Sequence, residues 1–244
     1  MKNDSLIIIA KKRFYQNSNQ SVHFTNIPEI DNFLNNLKDY PHAYVLACLM
    51  DRQIKAERAW EIPYRICQNF NAYSIEKLIK IDKQSYIDYF EKYKLHRFNK
   101  QMATIFYMAI HKIEKDYRNN AAFIWADRPS SSTVVYRFLE FVGSGIKIST
   151  MAANILARQF RIPFSDYYSI DISPDVHIRR VLIRMGYVPM NATNDMIIYK
   201  AREINPDFPG IIDFSCWEIG RNWCHPRTPD CLNCIVNNEC KKHI

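Results

Sequence analysis

The chain has 244 residues, 48% of them apolar, and carries 33 Lys and Arg against 25 Asp and Glu, a formal net charge of +8. That apolar content excludes a disordered chain, and the length allows one large core or two small ones. The basic balance suits an anionic partner such as nucleic acid.

From the N-terminus, the run Leu6 to Ala10 holds only five apolar residues. It is too short for a signal-peptide core or a membrane span, so no membrane partner is expected and the location expected is cytoplasmic, associated with the nucleoid. In such a compartment the seven cysteines point to metal ligands or free thiols, not disulfides. Helical periodicity dominates the rest of the chain, and no Asn-Gly or Asp-Gly hairpin turn occurs. Ile30, Phe33, Leu34 and Leu37 mark one amphipathic helix. The stretch from Ala43 to Phe70 predicts one or two more with a bend near Pro63. Ile75 to Ile79, Tyr86 to Phe90 and Met102 to Ile113 continue the pattern, and Asp127-Arg128-Pro129-Ser130 breaks it.

Two of the five glycines in the chain, Gly143 and Gly145, lie one residue apart. Before them, Val134, Val135, Phe138, Leu139 and Val142 fall on one helical face. After them, Met151, Ile155, Leu156 and Phe160 do the same. The pair therefore predicts a tight link between two helices. The amides of Gly143, Ser144, Gly145 and Ile146 would stand unpaired at the start of the second helix, a site suited to a phosphate. Lys147 falls in the first turn, where the helix dipole disfavours a cation. Taken alone, the stretch fits either an ordinary helical hairpin with a solvated lysine or a DNA-binding hairpin with a nucleophile.

A looser segment, Arg161 to Pro174, comes next. Ser173 is then expected as an N-cap, Pro174 at the first helical position and Asp175 in the first turn, with Ile178, Val181, Leu182 and Met185 buried and Gly186 as the stop. Further helices are expected over about Asn194 to Ile204 and Ile212 to Arg221. In the tail, Cys224, Cys231, Cys234 and Cys240 are spaced C-x6-C-x2-C-x5-C. Four thiolates in one short loop can close around one metal centre, and spacing does not choose between zinc and iron–sulfur.

The cysteine spacing, the VGSGIK hairpin, the DVHIRRV segment and LMDRQ together resemble the endonuclease III family of helix-hairpin-helix DNA glycosylases. The resemblance covers about Ala43 to Cys240. It implies an all-α fold of two helical domains, a six-helix barrel with the hairpin over 40–164 and an iron–sulfur cluster domain from 1–39 and 165–244, with a DNA-binding cleft between them. It places Lys147 on the family's catalytic lysine and Asp175 on its catalytic aspartate. Cys224, Cys231, Cys234 and Cys240 fall on the ligands of a [4Fe–4S] cluster. Gln53 falls on the glutamine that faces the gap left by a flipped base. Gly143, Ser144, Gly145 and Ile146 become phosphate contacts, and Arg227 a further phosphate contact from the cysteine loop.

The activity so implied is that of a bifunctional DNA glycosylase and abasic-site lyase in base-excision repair. Its partner would be double-stranded DNA holding a damaged or modified base, an oxidised pyrimidine by family default, or an abasic site, and the chain would act as a monomer. Lys147 would attack C1′ to give a Schiff base, and β-elimination would cut the strand. The chain departs from the family pattern in four places. Val142 replaces the usual Pro, the Lys147 to Asp175 linker is longer, and Asp51 and Arg52 stand where small residues are common. The loop that carries an intercalating side chain reads KYKLHRFNK, with Leu95 and His96 as its expected wedge. The Asp51-Arg52 pair leaves room for a 5-methylcytosine-type or other modified-base glycosylase. A non-catalytic damage-binding protein of the same fold is opposed by Lys147 and Asp175.

Overall fold

The computed structural model describes residues 5–16 and 21–242. Every regular element in it is helical, and among the described residues there is no strand. By its internal contacts the chain divides into two compact units. The central unit comprises Gln20–Pro129 and Tyr136–Ile148, the terminal unit Met1–Asn19, Ser130–Val135 and Ser149–Ile244. These limits differ from the 40–164 span expected from the sequence. That span is what the family resemblance implies, whereas the divisions at 135/136 and 148/149 fall inside helices, where composition gives no signal.

In chain order the helices are α1 (Ser5–Gln16), α2 (Pro28–Asn35), α3 (Pro41–Met50), α4 (Ala56–Phe70), α5 (Ile75–Leu78), α6 (Lys83–Tyr93), α7 (Asn99–Tyr117), α8 (Ser131–Leu139), α9 (Ile146–Arg158), α10 (Val176–Met185), α11 (Asn194–Ile204) and α12 (Asp213–Asn222). In the central unit α3 is the buried axis. Each of its residues from Pro41 to Met50 is buried, because PHAYVLACLM, His42 apart, is apolar all round. The stretch expected as one or two helices is two, and residues 51–55 separate α3 from α4. Pro63 lies inside α4 without ending it. Asp82 caps α6 by accepting from the Ser85 amide at 3.0 Å. Aromatic packing fills the interior, with Tyr86 against Phe106 and Phe70.

In the terminal unit, α1 was not anticipated beyond its apolar run. Its Phe14 packs edge-on against Phe208 and Tyr167, under the Arg161 guanidinium at 4.3 Å. Arg13 on α1 pairs with Glu218 on α12. The stripe predicted for α10 is observed: Ile178, Val181 and Leu182 are at most 1% exposed. Gly186 ends the helix in the left-handed conformation, φ +80°.

Candidate active site and nucleic-acid interface

In the central unit the hairpin turn is built as its glycines require. Phe141 is buried and stacks on Tyr117, anchoring the turn. Gly143 has φ +87°, and a Cβ there would stand 2.7 Å from Ile105 Cδ1. Both the backbone angle and the close approach exclude a side chain. Gly145 has no atom within 4 Å of its hypothetical Cβ, so its face is open. Two expectations are corrected here. The Ser144 amide is not left for a phosphate: it donates to the Phe141 carbonyl at 3.0 Å, because the turn closes on itself before α9 starts. Leu139 and Val142 are not on the buried face but 40% and 51% exposed, beside Ile146 at 42%. The helical register that buries Val134, Val135 and Phe138 stops at the turn.

Lys147 is the second residue of α9. Its Nζ lies 3.5 Å from Asp51 Oδ2, with side chains 39% and 13% exposed. Asp51 caps the C-terminal end of α3, its amide bonded to the Cys48 carbonyl. Sequence reasoning noted Asp51 only as a departure. Nothing in the linear pattern brings residue 51 to residue 147, so no local signal could have found the pair.

Past Asp51 the chain turns sharply. Gln53 takes the left-handed conformation at φ 55° and is exposed. This turn is braced by the 94–98 loop. The expected wedge residues do not reach the surface: Leu95 is 3% and His96 2% exposed. His96 Nδ1 accepts from the Phe98 amide at 3.0 Å, which leaves the proton on Nε2, facing the Met50 carbonyl at 3.2 Å. With both ring nitrogens bonded, His96 is a strut between the loop and the end of α3, and burial pushes its pKa down. Arg58 on α4 donates to the carbonyls of Lys94 and Leu95. The side chains left exposed on the loop are Lys94 and Arg97, the latter backed by the Phe98 ring at 5.4 Å.

In the terminal unit, Asp175 is the N-cap of α10, not a first-turn residue. Its Oδ1 accepts from the amides of His177 and Ile178, both at 2.8 Å. Ser173, expected as the cap, is instead buried, its amide donating to Asp213 Oδ2 at 2.6 Å. The acid was a better cap than the serine because it stands nearer the helix. The strap leading to Asp175 is held from several elements. Asn154 on α9 donates to the Asp171 carbonyl, Arg202 on α11 binds the Asp171 carboxylate through two nitrogens, and Gly210 donates to the Ile170 carbonyl. Burial pushes the Asp213 carboxyl up to about 6, against the Ser173 bond and the nearby Arg158, while Asp175 adds to the rise.

The four tail cysteines line one cavity, together with Arg184, Trp223 and Asn237. Among the described residues, no group of three or more His, Cys, Asp or Glu side chains is drawn close enough to hold a metal ion. The donor set nevertheless suits a thiolate-ligated centre. Burial pushes the Cys234 thiol up, and Cys224, Cys240 and Cys231 act in the same sense, so four thiolates here need a positive centre between them. Arg184 supplies a surrounding hydrogen bond, 3.3 Å to Cys224 Sγ, and also holds the His225 and Pro226 carbonyls. Those bonds fix the loop on which Arg227 is exposed. Cys48, Cys67 and Cys216 are buried in the core.

An all-helical chain with a two-glycine hairpin, a lysine in the turn after it and a capping aspartate has the fold of endonuclease III. Solved endonuclease III in a non-covalent DNA complex superposes with a TM-score of 0.62 at 14% identity, covering 91% of this chain and 96% of that one. A thermostable thymine-DNA glycosylase gives 0.63 at 14% identity, over 98% and 97% of the two chains. The 8-oxoguanine glycosylase/lyase of Clostridium acetobutylicum gives 0.56 at 12% identity, over 90% and 76%. In sequence, 70 residues, 29% of this chain, are 29% identical to endonuclease III of Thermotoga maritima. That match takes in 33% of the relative's length. No protein-family model matches the chain. No helix among the described residues is long and apolar enough to cross a membrane.

Proposed function

We propose that this chain is a DNA glycosylase with abasic-site lyase activity, acting on duplex DNA that holds a damaged or modified base. The observation that carries the reading is Lys147, a half-exposed amine in the first turn of α9, two residues after the open face of Gly145. A base inside a duplex is out of reach, so the nucleotide must be flipped out of the stack. The amine of Lys147 then attacks C1′ as the base leaves. Asp175 supplies the carboxylate that stabilises the positive charge growing on the sugar, and its uncapped oxygen is the one for that role. The C1′–O4′ bond then breaks, its oxygen taking a proton from the nitrogen, and the Schiff base so formed acidifies the neighbouring sugar carbon, from which β-elimination cuts the strand.

Oxidised pyrimidine is the substrate class we assign, following the family resemblance. Gln53 faces the space left by the flipped base, with Arg97 in the place expected for Leu95 and His96, since it is the exposed side chain of that loop. Phosphate contacts come from the hairpin around Gly145 and Ile146 and from Arg227. Such contacts position the duplex without reading its sequence. Cys224, Cys231, Cys234 and Cys240 would hold a [4Fe–4S] cluster, which when bound supplies a cross-link for the Arg227 loop and the capacity for one-electron transfer. The chain acts as a monomer in the cytoplasm on nucleoid DNA.

The experiment is turnover on a panel of defined duplexes, each with one lesion, comparing the wild type with Lys147→Ala. Base release and strand cleavage by the wild type on an oxidised-pyrimidine duplex, lost in Lys147→Ala, is the expected result. Binding to these duplexes with no turnover on any of them would leave a damage-binding protein and overturn the enzyme assignment.

A further inference from the structure

The pairing of Lys147 with Asp51 is not explained by stability. Asp51 caps the C-terminal end of α3, where the helix dipole disfavours an anion. Lys147 stands in the first turn of α9, where the dipole disfavours a cation. Each charge is at the wrong end of its own helix, and at 3.5 Å, with the Lys147 side chain 39% exposed, the pair adds little to folding. The two charges stand against their helices and toward each other, 3.5 Å apart.

We propose that Asp51 receives the proton of Lys147 and holds its amine at the hairpin, as a carboxylate additional to Asp175. The inference rests on the glycosylase/lyase reading above, in which Lys147 is the nucleophile. An ammonium has no lone pair with which to attack, so one proton must leave first. In the step assigned here, one Nζ–H bond breaks and one O–H bond forms at Asp51 Oδ2. The charged pair becomes a neutral amine and a neutral acid, an exchange favoured once DNA excludes water from the site. The nitrogen lone pair then forms the bond to C1′ as the bond from C1′ to the base breaks. That electron pair departs with the base, which takes up a proton from solvent.

The surroundings suit this role. Cys48, one turn before Asp51 on α3, is fully buried, and burial pushes its thiol up, so it stays protonated and does not compete for the proton. Arg52 is the next residue, and its charge faces the buried His96, as does that of Arg58. His96 is committed through both ring nitrogens, to the Phe98 amide and the Met50 carbonyl. Bracing of Met50 by His96 fixes the end of α3 that carries Asp51.

The test is single-turnover borohydride trapping on a duplex with one abasic site, from about pH 6 to about pH 9, with DNA affinity and thermal melting measured alongside. The wild type should trap at a rate nearly flat across this range. Asp51→Asn should trap about a hundredfold more slowly at neutral pH, with its rate climbing about tenfold per pH unit as the amine loses its proton to water. Asp51→Glu, which keeps a carboxyl group, should keep the flat profile. Asp51→Asn that tracks the wild type, or that is slowed by the same factor at every pH, overturns the assignment, as does a sloped profile in Asp51→Glu. A wild type that binds the duplex but never traps removes the lyase reading itself, and Asp51 with it.

Discussion

Asp175 Oδ1 accepts from the Ile178 amide at 2.8 Å and also from that of His177, while no hydrogen bond to Oδ2 occurs among the described residues. One oxygen of the proposed catalytic acid is thus spent on aiming it, and the other is available for chemistry. The two duties separate by substitution. Asparagine caps almost as well as aspartate, so Asp175→Asn should change stability by only a few tenths of a kcal/mol, whereas Asp175→Ala should cost about 1 kcal/mol. Both should lose about a hundredfold or more in base release, because neither supplies a carboxylate. Denaturant melts and single-turnover assays on the same preparations check this; full activity in Asp175→Asn would reduce the residue to a cap.

The hairpin glycines should likewise part company. At Gly143 a methyl group meets Ile105 and the φ of +87° is strained for any L residue, so Gly143→Ala should destabilise by about 1–2 kcal/mol. Gly145 faces open space, so Gly145→Ala should melt within about 0.5 kcal/mol of the wild type and still bind abasic-site duplex more weakly. Equal melting losses at both positions would contradict the geometry of the turn.

What the sequence made legible was local. The stripe of α10, its Gly186 stop and the two-glycine turn each rest on residues within a few positions of one another. The four cysteines, too, could be read from spacing. What it hid were relations between distant residues. The sequence pointed to Ser173 as the cap with Asp175 in the first turn; the strap bonds to Asp213, Asn154 and Arg202 set a path that makes Asp175 the cap. His96 was expected at the surface because its loop stands where the family carries an intercalating side chain; its partner, the Met50 carbonyl, lies far along the chain at the end of α3. Asp51 looked like an anomaly because its partner is Lys147.

Two buried groups should set opposing trends with pH. Burial holds His42 down to about 4, with Glu76 acting weakly the other way. The unfolded chain therefore takes up this proton first, and stability falls as pH drops from about 6.5 toward about 4. Asp213 is pushed up to about 6, so the folded chain takes up its proton first, and stability rises as pH drops from about 6 toward about 4. Asp213→Asn removes only the second trend. Relative to the wild type, this variant should be at its most stable near neutral pH and lose that advantage, on the order of 2–3 kcal/mol, by about pH 4. Melting temperatures across this range check it; a difference independent of pH would contradict the buried, ionised carboxylate.

For the cysteine cavity, protein produced with iron and sulfide under anaerobic conditions should be brown, with visible thiolate-to-iron absorption. Cys234→Ser should lose the colour and Cys216→Ser, in the core of α12, should keep it. A colourless wild type containing zinc would replace the cluster with a structural zinc site. Either outcome leaves the hairpin chemistry intact, since no step is assigned to the centre.

The central claim is that the Lys147 amine becomes bonded to sugar carbon, and peptide mapping of the borohydride-trapped complex tests it most directly. Wild-type protein reacted with abasic-site duplex, reduced and digested should give one nucleotide-bearing peptide, modified at Lys147, and Lys147→Ala should give none. Modification at another lysine, or no adduct from a preparation that binds the duplex, would contradict it.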